Sequence, residues 1–326
     1  MITNISRRDF FKSTSAFSLV ALATTGLNGI TALAEESAKA NAEQLKVALN
    51  AYSFSKLLND SIKNRGGGVT LLEVLDFAAK QKCEGFDPTG YFFPGYPKVP
   101  SDEYLNEFKR RAAELGMGIS GTGVRNNFTT SDKSIRAESV KHIKEWVEVA
   151  ARLGAPVIRV FADTQMRASS WEQVAPGASR NDVQAWIAAD LQECAEQGKK
   201  FGVRIGVQNH GDFLQTGEQL LALIKAVGSQ WCGPIVDTGY FKTDDPYQDI
   251  ALVAPHALNW QIKQSPFGQD SDVPIDLVKL VQIARKSGYH GYLPVETLSP
   301  KGKDYDPYTV VPSFLSQLRE AIKQTA

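Results

Sequence analysis

Four groups of residues in the second half of this 326-residue chain could do chemistry together: Gln208 with His210, Asp237, Gln261 with Lys263, and Glu296. Each closes a run of strand-forming residues, so each stands where a buried strand delivers its polar end. Residues two apart in a strand share a face, which pairs Gln208 with His210 and Gln261 with Lys263 if those strands reach that far. Two of the groups are carboxylates. A convergent set of oxygen-bearing side chains of this kind suits a hard divalent cation whose shell is completed by water or substrate oxygens. Position 208 carries an amide where a reaction would call for a carboxylate. The amide keeps a carbonyl oxygen but cannot serve as a base near neutral pH.

The elements that must position these groups alternate along the chain. Strand-like runs are expected at 45–53, 85–88, 118–122, 157–161, 204–208, 233–237, 258–263 and 291–296. Between them lie amphipathic stretches that predict helices at 70–82, 102–115, 136–153, 182–201, 217–227 and 276–287. The first opens with the capping-box spacing Thr70-Leu71-Leu72-Glu73, and the others run into Gly116, Gly154, Gly202, Gly228 and Gly288, the residue type that ends helices. Eight β/α units in one uninterrupted stretch predict an α/β fold, a closed (β/α)8 barrel forming a single domain over residues 35–326. An open doubly wound sheet is the competing architecture. Its G-x-G-x-x-G turn after the first strand is missing, because Gly66-Gly67-Gly68 lies far beyond that strand with the wrong spacing. In a barrel of this kind the chemistry sits at the C-terminal rim of the strands, where the four polar groups fall.

Ahead of the barrel, Ser6-Arg7-Arg8-Asp9-Phe10-Phe11-Lys12 precedes an apolar, small-residue stretch and then Ala32-Leu33-Ala34. Residues 1–34 resemble a twin-arginine signal peptide with an A-x-A cleavage site, so the mature chain is expected to begin near Glu35, in the periplasm and free of the membrane. Thr, Ser, Asn and Gly interrupt the apolar stretch, which suits a cleaved signal better than a permanent span. Lys plus Arg equal Asp plus Glu at 36 each, so the net charge gives no reason to expect nucleic acid or an anionic membrane as a partner. Cys83, Cys194 and Cys232 are odd in number and lack C-x-x-C spacing; they read as buried small hydrophobes.

The rim motifs carry a resemblance. Over essentially the whole mature region the chain resembles the sugar phosphate isomerase/epimerase family with the xylose isomerase-like TIM barrel. The matching pieces are V-Q-N-H-G-D at 207–212, G-P-I-V-D-T-G-Y at 233–240, N-W-Q-I-K-Q at 259–264 and G-Y-H-G-Y-L-P-V-E at 288–296. The corresponding strand ends in that family read Glu-Asn-His, Asp-x-Gly-His, His-x-Lys-Asp and Gly-Tyr-x-Gly-x-x-x-x-Glu. The resemblance implies a divalent metal held by Glu, Asp, His and Glu on strands five to eight, with two glutamates as acid and base. This chain keeps Asp237 and Glu296 but has Gln208 and Gln261 at the other two ligand positions. Tyr240 replaces a substrate-contacting His, and Gln264 replaces the Asp after Lys263.

Two arrangements follow. One is a weak Mg2+, Mn2+ or Ca2+ site made by Gln208, Asp237, Gln261 and Glu296; the other has no metal, with the carboxylates held by Lys263 and the amides. For the family reaction, proton removal beside a carbonyl, Glu296 is the surviving candidate base and Lys263 or a metal the electrophile. His210 can carry a proton in place of the lost carboxylate or simply fix its loop. Further substrate contacts are expected from Gln208, Tyr240, the aromatic run Tyr91-Phe92-Phe93-Pro94-Gly95-Tyr96, and Arg125 with Asn126. The aromatic run serves equally well as a lid packed on the barrel or a homodimer contact, and Arg159 can face the lumen and pair with a carboxylate. Export argues for a free sugar, an oxidised sugar or a glycoside over a sugar phosphate. The leading expectation is an exported sugar isomerase or epimerase. Its alternatives are a metal-free carbohydrate-binding protein, a keto-sugar lyase, and a phosphodiester-cleaving endonuclease, for which four histidines and zero net charge are poor equipment.

Overall fold

The computed structural model describes residues 45–164, 170–265, 273–299 and 304–326. The segment expected to be an export signal, 1–34, lies outside them. Among the described residues nine strands occupy eight barrel positions: β1 Lys46–Asn50, β2 Gly85–Asp87, β3 Gly118–Ile119, β4 Thr122–Gly123, β5 Val157–Phe161, β6 Arg204–Gln208, β7 Cys232–Asp237, β8 Asn259–Gln261 and β9 Tyr292–Val295. They pair in parallel as β3-β2-β1-β9 and β4-β5-β6-β7-β8. Two single backbone bridges, Thr89 with Gly123 and Ile262 with Val295, join these sheets and close the barrel. Parallel strands buried on both faces read as near-continuous apolar runs, and the fully buried Val-Ile-Arg-Val-Phe of β5 shows the pattern with one charged exception.

The third barrel strand, expected as one run over 118–122, is broken at Ser120 and Gly121. Across the lumen the Asn259 amide donates to Asp87 Oδ2 at 3.3 Å and to the Ser120 carbonyl at 3.2 Å. A Cβ at position 121 would come within 2.8 Å of the Asn259 amide nitrogen and 2.9 Å of Asp87 Oδ2. The lumenal polar pair thus takes the space that a side chain at 121 would need.

Ten helices surround these strands among the described residues: α1 Ser55–Ile62, α2 Leu71–Lys80, α3 Asp102–Glu114, α4 Lys133–Leu153, α5 Trp171–Val174, α6 Arg180–Phe201, α7 Gly217–Val227, α8 Pro246–Val253, α9 Leu277–Lys286 and α10 Pro307–Gln324. The Thr70–Glu73 capping box forms, with Thr70 N donating to Glu73 Oε2 at 2.7 Å and Glu73 N to Thr70 Oγ1 at 3.2 Å. Helices α4 and α6 begin earlier than the apolar periodicity suggests, because Asp132 and Ser179 cap them. Strand β1 ends at Asn50 instead of running to Ser53, since the Asn50 side chain accepts from Tyr52 N at 2.9 Å and starts a 3-10 turn. The three cysteines are buried and unpaired.

Candidate active site

The C-terminal strand ends surround a cavity of about 160 Å3, space for on the order of ten waters and so for a single monosaccharide. Its floor on the β6–β9 side is built from Gln208, Gln261, Lys263 and Glu296, with Asp237 buried behind them. Backbone and side-chain clamps fix each of these groups. Asn209, just past the end of β6, donates through Nδ2 to the Asp237 carbonyl and accepts through Oδ1 from Asp237 N, both at 2.8 Å. Its amide therefore continues the β6–β7 pairing one step beyond the strand. Thr238 Oγ1 accepts from Lys263 N at 2.8 Å and lies 3.3 Å from the Gln261 carbonyl, setting the start of the loop after β8. Glu296 N donates to the Ile262 carbonyl at 2.9 Å.

The side chains then meet. The Lys263 ammonium donates to Glu296 Oε1 and lies 3.5 Å from Asp237 Oδ2. Burial by itself would lower the Lys263 pKa, but Asp237, Glu296 and the nearby Tyr240 override it and hold the ammonium above its usual range. Lys263 is accordingly a fixed cation. Burial raises Asp237, partly offset by Lys263, and Glu296 adds to the rise. The Gln208 amide donates to Asp237 Oδ2 and, at 2.6 Å, to Gln261 Oε1, which leaves its own Oε1 buried without a partner. Turning the Gln261 amide by half a turn lets it donate to Glu296 Oε2 at 3.3 Å and Asp237 Oδ2 at 3.2 Å.

This donor set does not fit a divalent cation. Asp237 and Glu296 are already engaged by an ammonium, and Gln208 presents N–H rather than oxygen to Asp237. No cluster of three or more His, Cys, Asp or Glu suited to a metal occurs among the described residues. The four-ligand arrangement of Gln208, Asp237, Gln261 and Glu296 comes together in space, but as an internally paired network.

Beside this floor, His210 stacks between Tyr240, 4.2 Å away between ring centroids, and Phe161 at 4.8 Å. Its Nδ1 is hydrogen-bonded to the buried carboxylate of Asp163. A carboxylate at Nδ1 fixes the proton there and leaves Nε2 as the acceptor. Position 211 is glycine for a steric reason: a Cβ there would lie 2.5 Å from the Asp163 Cβ, on a backbone at φ +73°. Burial lifts the Tyr240 phenol to about 12, so it stays protonated.

The opposite wall is made by Tyr91, Arg125 and Arg159. Arg159 does face the cavity, but its guanidinium donates to Tyr91 Oη instead of a carboxylate. Two other expected contacts lie elsewhere. Asn126 spends its whole amide on β5, donating to the Phe161 carbonyl and accepting from Phe161 N, both at 2.8 Å. Phe92 packs in the core at 3% exposure. The aromatic run as a whole folds onto the barrel, with Phe93 and Tyr96 against Trp146. Residues that sequence reasoning did not single out are Asn50, Asp87 and Asp163. Each sits at or just past a strand end, so the strand-end rule applied to strands one, two and four would have found them. Burial raises Asp87 to about 6, against the lowering effect of Arg159.

With this geometry in hand, residues 75–319 match the family model described as xylose isomerase-like TIM barrel. No protein of curated function matches the chain in sequence. Among solved structures, 3-keto-D-glucoside 4-epimerase from E. coli is similar at a TM-score of 0.64 and 16% identity, covering 77% of this chain and 94% of its own. L-ribulose 3-epimerase gives 0.66 and 17%, covering 86% and 97%. The IOLI protein with a bound zinc atom gives 0.64 and 14%, covering 86% and 97%. At these identities the likeness establishes the shared barrel.

Proposed function

The chain belongs to the xylose isomerase-like TIM barrel family, and from that premise we propose that it is a sugar isomerase or epimerase that moves a proton beside a substrate carbonyl using its own side chains. The observation that carries this reading is the Lys263 ammonium held against two buried carboxylates at the floor of a monosaccharide-sized cavity. The epimerases of similar fold support the substrate class.

In the proposed reaction the substrate carbonyl oxygen accepts a hydrogen bond from Lys263 Nζ. Glu296 takes the proton from the adjacent carbon, and the charge that develops on the oxygen is stabilised by an ammonium already in place. Returning the proton from Glu296 to the former carbonyl carbon, while the adjacent hydroxyl proton passes to the former carbonyl oxygen, completes an isomerisation. Inversion instead needs a proton on the opposite face: His210, carrying a second proton on Nε2 as the imidazolium, delivers it, Glu296 releases the proton it took to solvent, and Asp163 keeps hold of Nδ1–H throughout. Gln208 and Tyr240 bound the space and offer hydroxyl contacts. The residues at 1–34 support placing this activity in the periplasm.

The test is solvent exchange. Aldoses, ketoses and 3-keto-sugars are incubated with the protein in D2O with EDTA present, and carbon-bound deuterium is followed by NMR. Incorporation that persists with EDTA and falls at least 100-fold in Glu296→Gln is expected. Exchange that requires added Mn2+ or Mg2+, or that survives Glu296→Gln unchanged, counts against the assignment. A second reading, binding without turnover, is favoured by one feature: Gln208 and Gln261 spend amide groups on each other. It predicts saturable sugar binding with no exchange.

A further inference from the structure

The wall of the cavity away from Lys263 holds positive charge that no carboxylate contacts among the described residues. Arg159 leaves the middle of β5 and is 6% exposed, yet among the described residues neither it nor Arg125 forms an ion pair. The Arg159 guanidinium carbon lies 4.2 Å from the Phe161 ring centroid and 5.4 Å from that of Tyr91, and Arg125 covers Tyr91 at 4.7 Å. Two guanidinium groups therefore share one phenol ring. The single hydrogen bond that Arg159 makes runs to the Tyr91 hydroxyl. None of its nitrogens is both sealed from solvent and unpartnered, so its remaining N–H groups open into the cavity.

Gly123 allows this placement, since a Cβ there would sit 2.6 Å from Arg159 Nε. Burial opposes the charge, but Tyr91, then Glu296 and Asp87, outweigh it and keep the guanidinium charged, although neither carboxylate touches it. Glu296 is bound by Lys263, and Asp87 is turned to Ser120 and Asn259. A buried guanidinium with no anion in contact leaves N–H donors to be satisfied, and its planar fork is matched by a carboxylate in bidentate geometry. Burial has fixed Arg159 between two rings, so little side-chain freedom remains to be lost when an anion arrives.

We infer, resting on the carbohydrate reading of this cavity, that its ligand is an acidic monosaccharide whose carboxylate lies between Arg159 and Arg125 while its carbonyl end faces Lys263. A sugar phosphate shares the oxyanion but brings more bulk and oxygens. Among the described residues the lining comes from strand ends and the turns just past them, and the only helical starts that reach it are the short 3-10 turns after Asn50 and Thr89, too short to cradle a phosphate.

The experiment is calorimetric titration of the purified protein with D-glucuronate and D-galacturonate, with D-glucose and D-galactose as neutral counterparts and D-glucose 6-phosphate as the bulkier anion. The expected result is uronate binding at least tenfold tighter than either neutral sugar or the phosphate. That preference should disappear in Arg159→Met. It should also weaken in Arg125→Met, whose exposed position keeps the fold out of question. Neutral sugars that bind as tightly as the uronates overturn this inference and leave the carbohydrate reading standing. Tighter binding of the phosphate, or a preference that survives both substitutions, overturns it as well. If no monosaccharide binds, the carbohydrate reading fails with it.

Discussion

The two walls of the cavity bury similar cations and treat them in opposite ways. On the β7–β9 side Lys263 touches two carboxylates; Gly239 N and the Gln208 amide donate to that of Asp237, whose backbone Asn209 clamps. On the β4–β5 side Arg159 has a phenol hydroxyl and two ring faces. One wall holds its cation in contact with anions, with only Gln208 Oε1 left unpartnered, and the other wall's cation touches no anion among the described residues. The difference separates two jobs that a binding site must do. A closed network holds reacting groups in fixed geometry, whereas an open one leaves favourable interaction to be made only when the right molecule enters.

That contrast can be broken by substitution. Lys263→Met leaves Asp237 and Glu296 buried without their cation, and unfolding in urea should show a loss of about 3–5 kcal/mol. A loss under 1 kcal/mol would mean that the wall is not held by this pair. The next largest effect is a pH dependence from Asp87, between the walls. The folded state keeps the Asp87 proton up to about pH 6, whereas its ordinary value is 3.8. The native state therefore binds the extra proton in that window, and stability falls as pH rises from about 4 to about 6, by up to about 3 kcal/mol. In Asp87→Asn the decline should flatten; an unchanged pH profile would assign it to other groups. The smallest effect is expected from Arg159→Met, which keeps the packing against Tyr91 and Phe161 and breaks no ion pair. It should move stability by no more than about 1 kcal/mol. A cost comparable to that of Lys263→Met would erase the contrast.

Much of the scaffold was legible in the residues. The runs at 157–161 and 204–208 coincide with β5 and β6, because apolar strands buried on both faces leave a continuous signature bounded by glycine. The break in the third strand was not, since it answers to Asn259 and Asp87, residues remote in sequence that meet only in the closed lumen. At the rim, the chain pattern brought Gln208, Asp237, Gln261, Lys263 and Glu296 together correctly. It could not say whether these oxygens would face a metal or one another, because that turns on the orientation of two amides, which the residue pattern does not encode. Asp163, just past the end of β5, was within reach of the strand-end rule, but its pairing with His210, 47 positions later, was not. Asn126 looked like a ligand contact because polar loop residues at a barrel mouth usually are, and it proved to be a clamp on Phe161.

Barrel closure has one more consequence. The seam between β8 and β9 is a single bridge, with Ile262 N donating to the Pro294 carbonyl at 2.8 Å and Glu296 N to the Ile262 carbonyl at 2.9 Å. The next residue beyond that bridge on each side is Lys263 and Glu296, so their ion pair is also the latch of the seam. On the proposed mechanism, a proton taken up by Glu296 weakens the latch as the substrate is changed. How tightly the mouth is held and where the proton resides are then two readings of the same bond.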